Sequence, residues 1–376
     1  MGELEFLIEG ISKLFVGDGW KYLIMYAVGI ILIVIGITKK LEPSLLIPMG
    51  LGAILVNIPA SGALGPSGAI EWLFKVGIEA SEIMPLLLFI GIGAMLDFGP
   101  LLSNPKLIFI GAAAQAGIFL TIIFSVVLGF DIKEAASIGI IGAADGPTSI
   151  LVATKLIPDS DIYGAIMVVA YCYMALVPLI QPIVIKGCTT KKERLIKMEY
   201  NPKSVTKGAK IAFPVIITIV AGLLAPESVS LVGFLMFGNL IRECGVLDSL
   251  TETASNTLTN LVTILLGLTI SFTMVADKFV TPQTLYIMVL GLFAFVFDTV
   301  FGIFFVKIIN LFTKKKINPM VGAAGISAFP MASRIVHQMG VKEDKSNYLL
   351  MHAASANIAG QVASAIAGGI VLTLFL

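Results

Sequence analysis

Gly142-Ala143-Ala144-Asp145-Gly146-Pro147-Thr148-Ser149 interrupts an otherwise apolar stretch, and Gly322-Ala323-Ala324-Gly325-Ile326-Ser327-Ala328-Phe329-Pro330 does the same about 180 residues later. The first interruption places a carboxylate where its flanks predict lipid depth. A Gly-Pro pair breaks a helix and frees backbone carbonyls, which hydrocarbon tolerates only where the segment is buried in protein or lines a watery cavity. The two breaks predict an all-α membrane protein whose interrupted segments build an ion site.

Composition agrees. The chain is 57% hydrophobic and only 13% charged, with mean hydropathy +0.98, whereas soluble domains carry about 25% charged residues. A net charge of +1 gives no footprint for a nucleic acid, and membrane lipids are the expected surroundings. Cys172, Cys188 and Cys244 stand apart and form no metal-ligand or redox spacing. Glu3, Glu5, Glu9 and Asp18 against Lys13 do not make the basic start of a secretory signal. Residues 1–19 are expected to stay in the mature protein as an amphipathic segment, with Leu4, Ile8, Ile11 and Phe15 on one face.

Apolar stretches long enough to cross about 30 Å of hydrocarbon lie at 20–38, 43–58, 82–98, 106–130, 161–185, 209–225, 228–244, 259–275, 283–311 and 346–374. The broken segments, 133–156 and 319–336, are set apart as re-entrant candidates. Comparing the halves shows a repeat: Asn57 at the end of Met49 to Asn57 lies over Asn239 at the end of Leu231 to Asn239, a shift of 182 residues. Gly142-Ala143-Ala144 lies over Gly322-Ala323-Ala324 at 180, and Asp161-Ile162-Tyr163 over Ser346-Asn347-Tyr348 at 185. The expected organisation is membrane repeat 1 over 20–185, a basic cytoplasmic linker over 186–208 and membrane repeat 2 over 209–376.

Basic loops gather on the cytoplasmic side. They are Lys39-Lys40, the loop with Lys191, Lys192, Arg194, Lys197, Lys203 and Lys207, then Arg242, and Lys314-Lys315-Lys316. If the broken segments crossed, these clusters would fall on both faces. If each dips in and returns, every cluster is cytoplasmic and each half has five crossings, so the halves insert with opposite orientation. Inverted repeats with broken helices place ion sites near the midplane between them. The tip with Asp145 then enters from outside, and the tip with Ser327 and Pro330 from the cytoplasm.

In the last span, Asn357 and Ser364 lie seven residues apart on one helix face, with Gly360 between them allowing close backbone approach. A carboxylate, an amide, hydroxyls and freed carbonyls are hard oxygen ligands suited to an alkali cation. Asp145 also has a plain structural use, capping the half-helix that starts near Pro147.

Through Leu96-Asp97-Phe98-Gly99-Pro100-Leu101-Leu102, Gly142 to Ile150, Gly322 to Met331, and Asn357 to Ser364, essentially the whole chain resembles the β subunit of Na+-translocating biotin-dependent decarboxylases. Those complexes act on oxaloacetate, methylmalonyl-CoA, glutaconyl-CoA or malonate. The resemblance implies a multi-pass subunit of a bacterial cytoplasmic membrane that decarboxylates carboxybiotin, consuming a proton, and couples this to outward Na+ movement. The implied partners are a soluble carboxyltransferase subunit, a biotin carrier subunit, a small single-span membrane subunit and further copies of the chain. Asp145 matches the family's essential membrane aspartate, proposed to bind Na+, and Tyr171 its functional tyrosine, thought to help deliver the proton. Asn357, Gly360 and Ser364 match its asparagine, glycine and serine region.

Other polar positions compete for roles. Thr148, Ser327 and Asp298 are further candidates for Na+, and Asp298 has Arg334 or a helix end as alternative partners. Asp97 and Arg334 sit near expected cytoplasmic ends and suit loop anchoring or contact with the carrier. His337 and His352 are too far apart in sequence to imply a metal site. The basic linker sets orientation, with docking of an acidic soluble partner as its sharper reading. Lys197-Met198 lacks the family's Ala-Met-Lys-Met biotinylation sequence, so the carboxyl group must arrive on another subunit. The modest length leans towards an acyl-CoA system over an oxaloacetate one. The alternative to the decarboxylase reading is a stand-alone Na+-coupled secondary transporter, since inverted repeats and broken helices are common to both.

Overall fold

The computed structural model describes residues 12–376 apart from 16, 60, 66 and 200–204, and no strand occurs among the described residues. Most of the amphipathic segment expected over 1–19 lies outside them. Seven helices are long and apolar enough to cross a membrane, and Ala69–Glu79 with Ile83–Met95, bent by 66°, forms an eighth candidate. The Ala69–Glu79 arm was not expected from sequence, and Pro43–Val56 has only 14 residues, about 21 Å at the α-helical rise.

In chain order the helices used below are α1 (Gly19–Lys39), α2 (Pro43–Val56), α3 (Ala69–Phe74), α4 (Ile83–Met95), α5 (Ile108–Ala114), α6 (Ala116–Val127), α7 (Ile132–Gly139), α8 (Gly146–Leu156) and α9 (Tyr163–Cys188). They continue as α10 (Lys207–Leu224), α11 (Val229–Cys244), α12 (Thr259–Ile270), α13 (Pro282–Phe312), α14 (Met331–Glu343) and α15 (Leu350–Phe375). π-helical turns at Lys75–Glu79 and Thr253–Leu258 follow α3 and precede α12. The apolar helix containing α12 starts at Asp248 and runs to Met274, earlier than the expected 259.

With lipid on one side and protein on the other, hydrophobicity alone gives the helices no reason to associate, and close packing of small residues takes over. α4 and α11 show this. A methyl group on Gly93 would sit 1.9 Å from Leu235 O, and one on Gly238 2.0 Å from Ile90 O. Side-chain amides satisfy the backbone groups that the breaks release. Asn57, at the end of α2, donates to Met274 O (2.7 Å) and accepts from Ala276 N (2.7 Å). Asn239, in α11, donates to Leu96 O at 2.8 Å, just past α4. Each of these two asparagines, aligned at a shift of 182 residues in the sequence, thus caps a helix end from the other half.

The glycine-broken segments occupy the centre. α7 runs through a 3₁₀ turn, Ile140–Ala143, to a break at Ala144 (φ 53°), after which α8 begins. The second segment passes from Met320–Ala323 through a non-helical stretch to α14. Residues 135–153 and 318–328 are buried without exception, and Phe329 and Pro330, which end the second break, are partly exposed.

The linker is less free than its charge suggested. Arg194 Nε lies 2.6 Å from Glu343 Oε1, Lys197 Nζ 2.9 Å from Asp344 Oδ2, and Glu193 Oε1 3.1 Å from Lys307 Nζ. Asn318 Nδ2 donates to the carbonyls of Arg194 (2.9 Å) and Ile196 (2.8 Å). Part of its basic charge is therefore committed to holding the entry of the second broken segment. Hydrogen bonding from Lys197 and Ser346 holds the Asp344 carboxyl well below the usual carboxylate range.

Candidate functional site

Asp145 occupies the N-cap position of α8, yet its side chain makes no capping hydrogen bond to the backbone. Its Oδ2 instead accepts from the Thr148 hydroxyl at 2.7 Å, the Ser364 hydroxyl at 2.8 Å and Gln361 Nε2 at 3.2 Å. The carboxyl is only 3% exposed, and all three donors are neutral. No Lys or Arg pairs with it among the described residues. A buried carboxylate carries a desolvation penalty of several kcal/mol unless a cation or a set of hydrogen bonds offsets it. Three donors on one oxygen offset part of that penalty and leave the charge itself uncompensated. The arrangement therefore suits a small cation, or a proton, at this position.

Why these side chains meet follows from two local features. Pro147 at the start of α8 fixes the half-helix where the chain has already turned, which brings Thr148, three residues after Asp145, over its carboxylate. On α15, Asn357, Gln361 and Ser364 follow at spacings of four and three residues, so they share one face. That face meets both broken segments. Asn357 Nδ2 donates to Ile326 O at 2.6 Å, and the Ser327 hydroxyl donates to Gly360 O at 3.3 Å. At Gly360 a methyl group would lie 2.0 Å from Gly325 O, so only glycine admits this approach.

Three side-chain amides hold the second break by its carbonyls. Gln181 Nε2 donates to Ala323 O (2.7 Å), Gln115 Nε2 to Gly325 O (3.3 Å) and Asn357 to Ile326 O, while the oxygens of all three amides are buried without a hydrogen-bond partner among the described residues. Such oxygens are hard donors left open in an apolar interior, where an unsatisfied polar group is costly.

Tyr171, on α9, is 1% exposed and its ring lies against the backbone of Gly146, where a methyl group would fall 2.4 Å from Cζ. Its hydroxyl has no hydrogen-bond partner among the described residues.

The structure thus joins Asp145, Thr148 and Ser364 directly, puts the Tyr171 ring beside them, and places Asn357, Gly360 and Ser327 at the tip of the second break. Gly360 contributes close packing, and its carbonyl is already engaged by Ser327. Asp298 stands apart, on α13. Arg334 is exposed, and no ion pair joins it to Asp298 among the described residues, so that alternative is not realised. Sequence reasoning missed Gln361, Gln115 and Gln181. The available signal for Gln361 was its place on the Asn357–Ser364 stripe; for the other two it was a lone amide in an apolar span. Among the described residues no cluster of His, Cys, Asp and Glu suits a metal ion held by such groups.

Residues 21–375 match the family model of the Na+-transporting oxaloacetate decarboxylase beta subunit. The methylmalonyl-CoA decarboxylase subunit beta of Veillonella parvula is 48% identical over 93% of this chain and 92% of its own length. The glutaconyl-CoA decarboxylase subunit beta of Acidaminococcus fermentans is 47% identical over 96% and 95%. The oxaloacetate decarboxylase beta chain of Klebsiella pneumoniae is 41% identical over 99% of both chains.

Proposed function

This chain belongs to the family of Na+-transporting oxaloacetate decarboxylase β subunits, a multi-pass membrane subunit of a multi-subunit decarboxylase that moves Na+, and we propose that Na+ binds at Asp145 on its way through. The observation that carries the reading is the Asp145 carboxylate, buried at a helix break, stabilised by Thr148, Ser364 and Gln361 yet paired with no cationic side chain. Asn357 Oδ1, unpartnered at the adjoining tip, and the hydroxyl oxygens of Thr148 and Ser364 supply further oxygen ligands of the kind alkali cations take. Ser327 positions the second tip and Gly360 admits it.

The carboxyl group to be released comes on biotin carried by a partner subunit. Decarboxylation consumes a proton. Tyr171, packed on Gly146 with its hydroxyl unpartnered among the described residues, is suited to pass a proton to the same site. Na+ and a proton then compete for one carboxylate, and alternate exposure of the site to the two membrane faces makes the exchange directional. Two inverted repeats, 20–185 and 209–376 joined by the 186–208 linker, suit such a cycle. The matched succession of helices, the paired π turns and the reciprocal caps of Asn57 and Asn239 support that organisation, with both broken segments as re-entrant elements. A soluble carboxyltransferase, a biotin carrier, a small membrane subunit and further copies of this chain complete the proposed assembly. The identities to acyl-CoA systems, 47% and 48% against 41%, favour an acyl-CoA substrate, which another subunit selects.

The test is radioactive Na+ uptake into vesicles carrying the purified complex, with carboxybiotin supplied, for the wild type and Asp145→Asn. Uptake and decarboxylation that collapse together in the variant support the reading. Na+ uptake that proceeds equally without carboxybiotin makes the chain a gradient-driven transporter instead.

A further inference from the structure

Ala294, Asp298 and Gly302 lie a turn apart on one face of α13, and that face carries both broken segments. A methyl group on Gly142 would sit 2.9 Å from the Ala294 carbonyl, and one on Gly322 2.1 Å from Gly302 O. Asp298 therefore lies between the two contacts, about 6 Å along the helix from each. It is fully buried. From the opposite side Gly117, at the start of α6, faces it, and a methyl group there would fall 2.1 Å from Oδ1.

Neither Asp298 oxygen has a hydrogen-bond partner of ordinary geometry among the described residues. The backbone of Gly117 and Ile118 lies near it without closing one. Nor does a protein cation balance it among the described residues. On α13 itself, Lys307 is paired with Glu193 at 3.1 Å. On α9, the Tyr173 hydroxyl donates to Met288 O, and Tyr171, Cys172, Lys186 and Cys188 make no ion pair with Asp298. Lys133 and Glu134 belong to the first turn of α7, away from the break.

Other open oxygens lie on and beside the helix that faces Asp298. Gly117, Thr121 and Ser125 share one face of α6, the face turned to α13. The hydroxyl oxygens of Thr121 and Ser125 are buried and unpartnered among the described residues, and so is Gln115 Oε1 at the α5–α6 break. Ser125 lies in the last turn of α6, after which the chain turns at Gly129 to Asp131 before α7. A polar position on each turn thus leads from that surface turn to Asp298. A lone ionised carboxylate at membrane depth needs a counter-charge, and an all-oxygen set suits Na+ over a transition metal.

We propose that Asp298 is a second Na+-binding carboxylate, reached from the α6–α7 turn along Ser125 and Thr121. The proposal rests on the reading that this subunit moves Na+, but it does not depend on Asp145. Na+ held here bridges the face of α13 on which both broken segments rest, so its arrival and departure can bias how they pack.

Dicyclohexylcarbodiimide, which modifies carboxyl groups in apolar surroundings, tests this on the purified complex without turnover. Labelling of Asp298 is read by mass spectrometry in choline chloride and in NaCl, for the wild type and for Asp145→Asn. Asp298 is expected to be labelled in choline chloride and protected about tenfold by NaCl, the ratio given by roughly 1.4 kcal/mol of binding, in both proteins. Equal labelling in the two salts identifies a merely protonated acid and overturns the proposal. Absence of label at Asp298 in either salt, while Asp145 reacts, shows an unreachable carboxyl and also overturns it. Protection of Asp298 without protection of Asp145 would instead count against the Asp145 reading alone. Gly117→Ala, which crowds Oδ1, is expected to raise the Na+ concentration needed for protection, and an unchanged value argues against the site. Should that variant not fold, the wild-type labelling decides by itself.

Discussion

Ser327 donates its backbone N–H to the carbonyl of Ala143 across 3.0 Å, tying the two glycine-broken segments tip to tip. The bond places the opening before Asp145 directly against the second break. Through Ser327 and Asn357, α15 also engages the second segment, and through Ser364 and Gln361 it engages Asp145, so the proposed Na+ site touches all three elements. Coupling of this kind needs one shared contact region, and these residues form it.

Ser364→Ala and Thr148→Val each delete one hydroxyl donor to Asp145 Oδ2. Hydrogen bonds to a charged group contribute about 1.5–3 kcal/mol, so each change is expected to raise the Na+ concentration for half-maximal decarboxylation by about tenfold or more at constant pH. Because the two share one oxygen, the double variant should lose less than the sum. Na+-activation curves of the purified complex measure this.

Tyr171→Phe removes a hydroxyl that has no hydrogen-bond partner among the described residues. Folding stability should change by less than about 1 kcal/mol, since no hydrogen bond is lost, while decarboxylation and Na+ uptake fall together. A variant that melts as the wild type does and pumps as fast would exclude a proton role for Tyr171.

Gly360→Ala drives a methyl group to 2.0 Å from Gly325 O, and Gly146→Ala drives one to 2.4 Å from the Tyr171 ring. Overpacking in a filled interior costs about 1–3 kcal/mol. Gly360→Ala meets backbone and should show the larger drop in thermal stability, measured on the complex in detergent. Alanine at Gly187, which has open space around it, is the neutral control.

Asp344 is held below its ordinary value of 3.8 by its hydrogen bond from Lys197. A depressed folded-state value means that the contribution is fully present above the unfolded carboxylate value and is lost as pH falls towards the folded one. Wild type and Asp344→Asn should therefore differ in thermal stability at neutral pH, with the gap beginning to close only as pH falls below about 4. A gap that stays constant down to acid pH would show that the pair does not hold the linker.

The class, the helices and the breaks were legible in the sequence because hydropathy and helix-breaking chemistry are local. Gly146-Pro147 cannot continue a helix wherever it lies, and a carboxylate beside it within an apolar segment marks a site. Asp145 was singled out that way, and the Asn357–Ser364 face by its seven-residue helical spacing. The capping role open to Asp145 was not taken up, because Thr148, Ser364 and Gln361 supply its hydrogen bonds from the side-chain layer. The Ala69–Glu79 arm and the bend after it were not legible, since Glu71, Lys75 and Glu79 interrupt its apolar residues so that it does not read as a membrane-crossing stretch. Gln361 and Asp145 stand 216 residues apart in the chain, and no periodicity reports such a contact. The sequence by itself determined that this is a membrane protein with two opened helices and one acid at a break. Only the tertiary structure decided which donors surround that acid and which oxygens stay open. That choice belongs to packing, because glycine contacts such as Gly360 on Gly325 set how closely elements from distant parts of the chain can approach.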